Sequence, residues 1–270
     1  MNFDNILNTN LGEIISLEFI TSMVVFLLII GLSFFIYFKQ KKYNPIKDKP
    51  SKSIALAEMF IESIDNKLDD TMGPSYRRKP KWGSFIGLLT AYIMLSFVIS
   101  ITGIPNFIYL GENTRLNSSS LFAPLSNPFT TLVFPLSIGL VTFALIQGVS
   151  IRYKKWSYLK QFVSPIPFVG LLTIWAPLLS LSLRLFGNAF AGFCLSTIVY
   201  QGLYGIGNGY GLFFVPVLMP FFHAFFDLFS GYIQMLVFTT LSMIDIAQEG
   251  PSIEEQVSLL SIKSGMEIPN

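Results

Sequence analysis

Leu181-Ser182-Leu183-Arg184-Leu185-Phe186-Gly187-Asn188-Ala189-Phe190-Ala191-Gly192 sets one arginine inside an otherwise apolar run, and the reading of that arginine decides the fold. From Phe162 to Tyr200 no other side chain is ionised at neutral pH. A run of that length and polarity belongs in a bilayer. There an arginine at mid-depth costs about 2.5–3.5 kcal/mol on insertion scales, so it faces a cavity or a partner. Arg184 is therefore read as functional.

The composition around this stretch agrees with a membrane solvent. Hydrophobic residues make up 52% of the chain and charged residues only 13%, a balance that excludes an ordinary soluble domain. The apolar runs are long and continuous, without the period-two alternation of a barrel strand, so they read as helices. Cys194 is the single cysteine, which leaves no intrachain disulfide and no thiolate metal cluster, and the single histidine leaves no all-histidine metal site. No phosphate-binding glycine loop, Ser/His/Asp arrangement or metal-ligand spacing is present, so no cofactor, no nucleic-acid partner and no soluble catalytic site are expected.

In chain order, the acidic stretch 1–16 precedes a first membrane helix over 17–38, which stops at Lys39-Gln40-Lys41-Lys42. Between 51 and 72, Ile54, Leu56, Ala57, Phe60, Ile61, Ile64 and Leu68 recur at three- and four-residue spacing against Glu58, Glu62, Asp65 and Asp69. That pattern predicts an amphipathic helix at the membrane surface, capped near Ser51 or Ser53 and ended by Gly73-Pro74. A second membrane helix is expected over 82–104, a polar loop over 105–127, and a third membrane helix over 128–149. Residues 162–200 and 212–244 would span about 58 Å and about 50 Å as helices, against a hydrocarbon core near 30 Å, so each must tilt, bend or divide. The glycines between 202 and 211 turn this pair into a hairpin. The fold class is an all-α polytopic membrane protein with about five membrane helices, the last two long and tilted, plus one amphipathic surface helix.

The basic residues fix an orientation. Of eighteen lysines and arginines, eleven lie in 39–81 and four in 152–160. Short loops rich in these residues stay on the cytoplasmic side. The N-terminus and the 105–127 loop are thus expected outside, and the acidic tail 245–270 inside.

Two polar stripes stand on the long pair. Ser180, Arg184, Gly187, Asn188 and Ala191 share one helical face, and His223, Asp227, Ser230, Gly231 and Gln234 form a similar face on the second helix. Two such stripes in one hairpin suggest a polar route through the bilayer.

On these residues the sequence resembles subunit a of F-type ATP synthases. Ser182-Leu183-Arg184-Leu185-Phe186-Gly187-Asn188 with Ala191-Gly192 matches the family signature, and Gln234 falls on the glutamine of its last helix. The resemblance implies a non-catalytic stator whose hairpin lies against the c-subunit ring, with peripheral stalk b subunits and a catalytic head as further partners. It would be a multi-pass protein of a bacterial plasma membrane. Arg184 would separate two ion half-channels and favour the ionised form of each passing ring carboxyl. Asp227 is assigned as relay of the external half-channel with His223 as its neighbour, while Asn188 and Gln234 line the route. For Asp227, packing as a buried paired carboxylate is the alternative, and for Asn188 and Gln234 interhelical hydrogen bonding is. Phe193 stands where many relatives have histidine or glutamate, Gly170 where some have an acid, and Ser126-Asn127-Pro128-Phe129-Thr130 only loosely echoes a family segment. The cytoplasmic half-channel is thereby left without assigned residues. A sodium-coupled version of the same subunit and a stand-alone secondary transporter are the competing readings.

Overall fold

The computed structural model describes residues 17–43, 51–73, 76, 80–102, 127–154, 167–205, 214–252 and 255–256. Nearly all of those residues are helical, with no strand among them. Helix α1 is Leu17–Lys42, α2 is Lys52–Met72, α3 is Pro80–Thr102, α4 is Val133–Lys154 and α5 is Pro167–Gly205. A single 3-10 turn, Pro128–Thr130, precedes α4. The last run comprises α6 (Val215–His223), a π-helical segment (Ala224–Ser230) and α7 (Gly231–Glu249), without a break between them. The N-terminal stretch 1–16, positions 105–126 of the expected external loop, the loop 155–166, the turn 206–213 and the tail beyond 256 lie outside the described residues.

Among the described residues, five helical segments are long and apolar enough to cross a membrane: Glu18–Lys41, Lys81–Ile99, Val133–Lys154, Ile174–Val199 and Pro220–Glu249. With α2 as the additional amphipathic helix, this is the all-α polytopic architecture expected from the sequence. The last helix runs to Glu249, beyond the expected end at 244, so Asp245 is helical and falls within the apolar segment Pro220–Glu249.

The chain divides into two compact units, each built from segments of several helices. One comprises residues 30–91, 136–182 and 236–270. Its core joins Ile64, Leu68 and Met72 of α2, Tyr76, Ile86 of α3, Ile146 and Val149 of α4, and Met243 and Ile246 of α7. Each of these fully buried side chains contributes about 1.5–3 kcal/mol relative to exposure in water, which fastens α2 along one side. Leu56, Met59, Phe60 and Ile61 remain exposed beside the charged Glu58 and Glu62, a mixed surface that suits a helix at a lipid boundary. The N-cap of α2 is Ser51, whose side chain makes no capping bond. Lys39 at the end of α1 instead donates to Ser53 Oγ at 2.6 Å. The far end of α2 stops at Gly73, whose φ of 91° suits only glycine, and whose N–H bonds Asp69 O at 3.1 Å. Gln256 closes this corner: its buried amide donates to Met72 O and Pro251 O, both at 3.0 Å.

The other unit comprises residues 1–29, 92–135 and 183–235. Here Ser22 of α1 and Tyr92 of α3 share a hydrogen bond of 2.6 Å. Phe97 and Phe129 pack ring against ring with centroids 5.5 Å apart. Asn127 Oδ1 accepts from Phe129 N at 3.0 Å and so starts the 3-10 turn, the local role this structure gives to the loosely matching segment.

Candidate functional site

Leu178, Leu181, Leu185, Ala189 and Gly192 recur on one side of α5 and are buried, which fixes the rotation of that helix. The opposite side is therefore set open. Ser180, Arg184, Gly187 and Ala191 are exposed on it, with Asn188 half-buried at its edge. A methyl group added at Gly187 would meet nothing within 4 Å, so the small-residue face beside Arg184 is unobstructed by the described residues. Among the described residues Arg184 makes no hydrogen bond or ion pair. Arg184 and Asp227 are not paired with each other.

Asp227 is held by His223 instead. The two lie one turn apart on the last helix, with Nδ1 of His223 2.7 Å from Oδ2 of Asp227 and side-chain exposures of 21% and 16%. The pair straddles the start of the π-helical segment. A π turn is wider than an α turn, so the spacing of seven that would bring Asp227 and Gln234 to one face of an ideal α-helix no longer does so. That shift of register is invisible to a reading based on the 3.6-residue period.

The two polar stripes meet at one hydrogen bond, in which Ser230 Oγ donates to Asn188 Oδ1. One turn away on both elements, a Cβ at Gly192 would stand 3.1 Å from Cβ of Phe226. Asn188 with Ser230 and Gly192 with Phe226 define an antiparallel register, and carried one turn the other way it sets Arg184 level with Gln234. Among the described residues Gln234 makes no hydrogen bond, and Asn188 Nδ2 is buried with no partner. At the junction with α7, Gly231 packs against Phe97, where a Cβ would lie 2.6 Å from Cγ of that ring. The site thus has a fixed backbone frame around a free guanidinium, a free carboxamide and a bonded His–Asp pair. No group of three or more His, Cys, Asp or Glu side chains able to hold a metal ion occurs among the described residues.

Sequence reasoning missed three features. Asp245 was read as tail. The bonds of Ser150 Oγ and Lys154 Nζ to Glu249 Oε2, the latter at 2.8 Å, carry no sequence signature beyond a serine ahead of a basic run. The Ser22–Tyr92 bond joins residues 70 apart with no motif to link them.

Fold and site together define a multi-span helical membrane protein with an arginine, unpaired among the described residues, in a helix long and apolar enough to span. The chain belongs to the ATP synthase A chain family, whose model matches residues 19–246. It is similar to the ATP synthase subunit a of Mycoplasma genitalium, 28% identical over 242 residues that cover 81% of this chain and 74% of that one. The ATP synthase subunit a of Enterococcus hirae is 28% identical over 238 residues, 86% of this chain and 89% of that one. A subunit a of Propionigenium modestum described as sodium ion specific is 29% identical over 195 residues, 70% of this chain and 62% of that one. Membership gives the chain the subunit a role in an ATP synthase complex.

Proposed function

We propose that this chain is the ion-conducting stator of a bacterial plasma-membrane ATP synthase, without catalytic chemistry of its own, coupling proton movement to rotation of a c-subunit ring. The observation that carries the reading is Arg184, exposed and unpaired among the described residues on a bare small-residue face of a spanning helix. A charge left open at membrane depth calls for a partner outside the chain, and a ring of carboxyl-bearing helices supplies one. Facing Arg184, a ring carboxyl ionises; turned to lipid, it is neutral. The same cation repels protons that would otherwise cross directly, so ions must travel with the ring. Asp227, oriented by His223, passes protons between the external aqueous side and the ring, and Asn188 and Gln234 line the level of Arg184. The N-terminus lies outside and the C-terminus inside, as the basic residues at the ends of α1 and α4 require.

A sodium-coupled form is the second reading, supported by the likeness to the sodium-specific Propionigenium protein. Both are separated from a stand-alone transporter by purification. The tagged chain should bring down a c-ring, a peripheral stalk and a catalytic head, and vesicles holding that complex should accumulate protons on addition of ATP. Uptake of ²²Na⁺ in place of protons identifies the sodium form. Transport by the chain alone, without a ring, contradicts the proposal.

A further inference from the structure

We infer that Asp245 is a carboxylate station of the cytoplasmic half-channel, an inference that rests on the stator reading above. Three observations carry it. Asp245 lies inside the spanning segment Pro220–Glu249, is half-buried, and among the described residues makes no hydrogen bond or ion pair. A half-buried acid near the cytoplasmic end of such a segment, with no partner among the described residues, is the arrangement associated with ion pathways rather than packing, because an uncompensated carboxylate is unfavourable there unless water or a mobile cation reaches it. Its place on the helix is the second observation. Gln234 and Asp245 are eleven residues apart within the uninterrupted α7, which is three full turns, so both stand on one face about 16 Å apart along the axis. The third is the polar exit one turn further on. Glu249 Oε2 accepts from Ser150 Oγ and from Lys154 Nζ, and Lys154 with Arg152 forms the basic last turn of α4 that marks the cytoplasmic side.

During synthesis the proton released from a ring carboxyl protonates the Asp245 carboxylate. The resulting carboxylic acid returns it to cytoplasmic water beside Glu249, so Asp245 ends each passage ionised as it began. ATP-driven pumping reverses both transfers. Ser150 and Lys154 keep Glu249 occupied, and Asp245 is thereby the free acid of the pair.

The test uses the complete complex in vesicles, with passive flux through the membrane sector measured by a pH-sensitive dye after removal of the catalytic head, and by ²²Na⁺ if sodium is the ion. Asp245→Asn should lower flux about tenfold with the ring still copurifying, and Asp245→Glu should retain most of it. In a Cys194→Ser background, Asp245→Cys should react from the cytoplasmic side with a membrane-impermeant methanethiosulfonate. Flux within twofold of the parent in Asp245→Asn overturns the inference, as does a cysteine at 245 that stays unreactive. If Asp245→Asn does not assemble while Asp245→Glu does, the carboxylate serves folding and the inference is likewise overturned. The stator reading fails separately: it falls if Arg184→Ala stays coupled, whatever Asp245 does.

Discussion

Asp227 and His223 hold each other at 2.7 Å, so a change at either one reorients the other. Removal of the carboxylate should be the more damaging. Asp227→Asn keeps size and hydrogen-bonding capacity but cannot carry a proton, and passive proton flux through the membrane sector should fall about 10²-fold with assembly intact. His223→Ala should cost less, about threefold to tenfold, because the acid remains and only its orientation is lost. Loss of assembly in Asp227→Asn would assign the acid to packing instead. Arg184 stood out in the sequence as the lone ionised side chain of the 39 positions 162–200, and the contact of His223 with Asp227 follows from a spacing of four on one helix. Asp245 escaped because it sits at the edge of an apolar run, where hydropathy alone cannot say whether a helix has ended.

The π-helical segment Ala224–Ser230 governs the last helix, since it decides which residues before it share a face with those after it. Its junction is fixed by Gly231, where a side chain would lie 2.6–2.9 Å from three atoms of the buried Phe97. One of those atoms is the Phe97 Cβ, which cannot swing aside because it is tied to the α3 backbone. Gly231→Ala should therefore destabilise the protein by about 1–3 kcal/mol through overpacking, read as a lower midpoint in thermal unfolding of the detergent-solubilised complex. An unchanged midpoint would show that the junction has room. At the end of α2, Gly73→Ala should lose about 1–2 kcal/mol from its left-handed backbone alone. Three- and four-residue spacing marked α2, and long continuous apolar runs marked the membrane helices. Neither signal had a means of revealing a π turn, which leaves the apolar pattern unmarked and which lies beside the contacts of Gly231 with Phe97 and Ser230 with Asn188.

At the scale of the whole molecule, the family match over residues 19–246 and five spanning helices leave little of the chain outside one membrane assembly. The corner where α2, Tyr76 and Gln256 meet shows how the end of α2 is locked. Tyr76 is buried against Gly250, its hydroxyl has no partner among the described residues, and burial, reinforced by Tyr153, pushes its pKa up to about 12. The neutral phenol is thus the folded form. Its stability is fully present below pH 10, the ordinary tyrosine value, and is lost as pH rises from 10 towards 12. Tyr76→Phe should leave neutral-pH stability nearly unchanged, since no hydrogen bond is removed, and should blunt that alkaline loss in thermal-shift measurements. A large loss at neutral pH would reveal a bonded hydroxyl.

The central claim is that Arg184 forces ions to travel with the ring. ATP-driven proton uptake by vesicles carrying the Arg184→Ala complex tests it most directly, with copurification of the ring as the control for assembly. The account predicts no coupled uptake in an assembled complex, and uptake at the parent rate would contradict it.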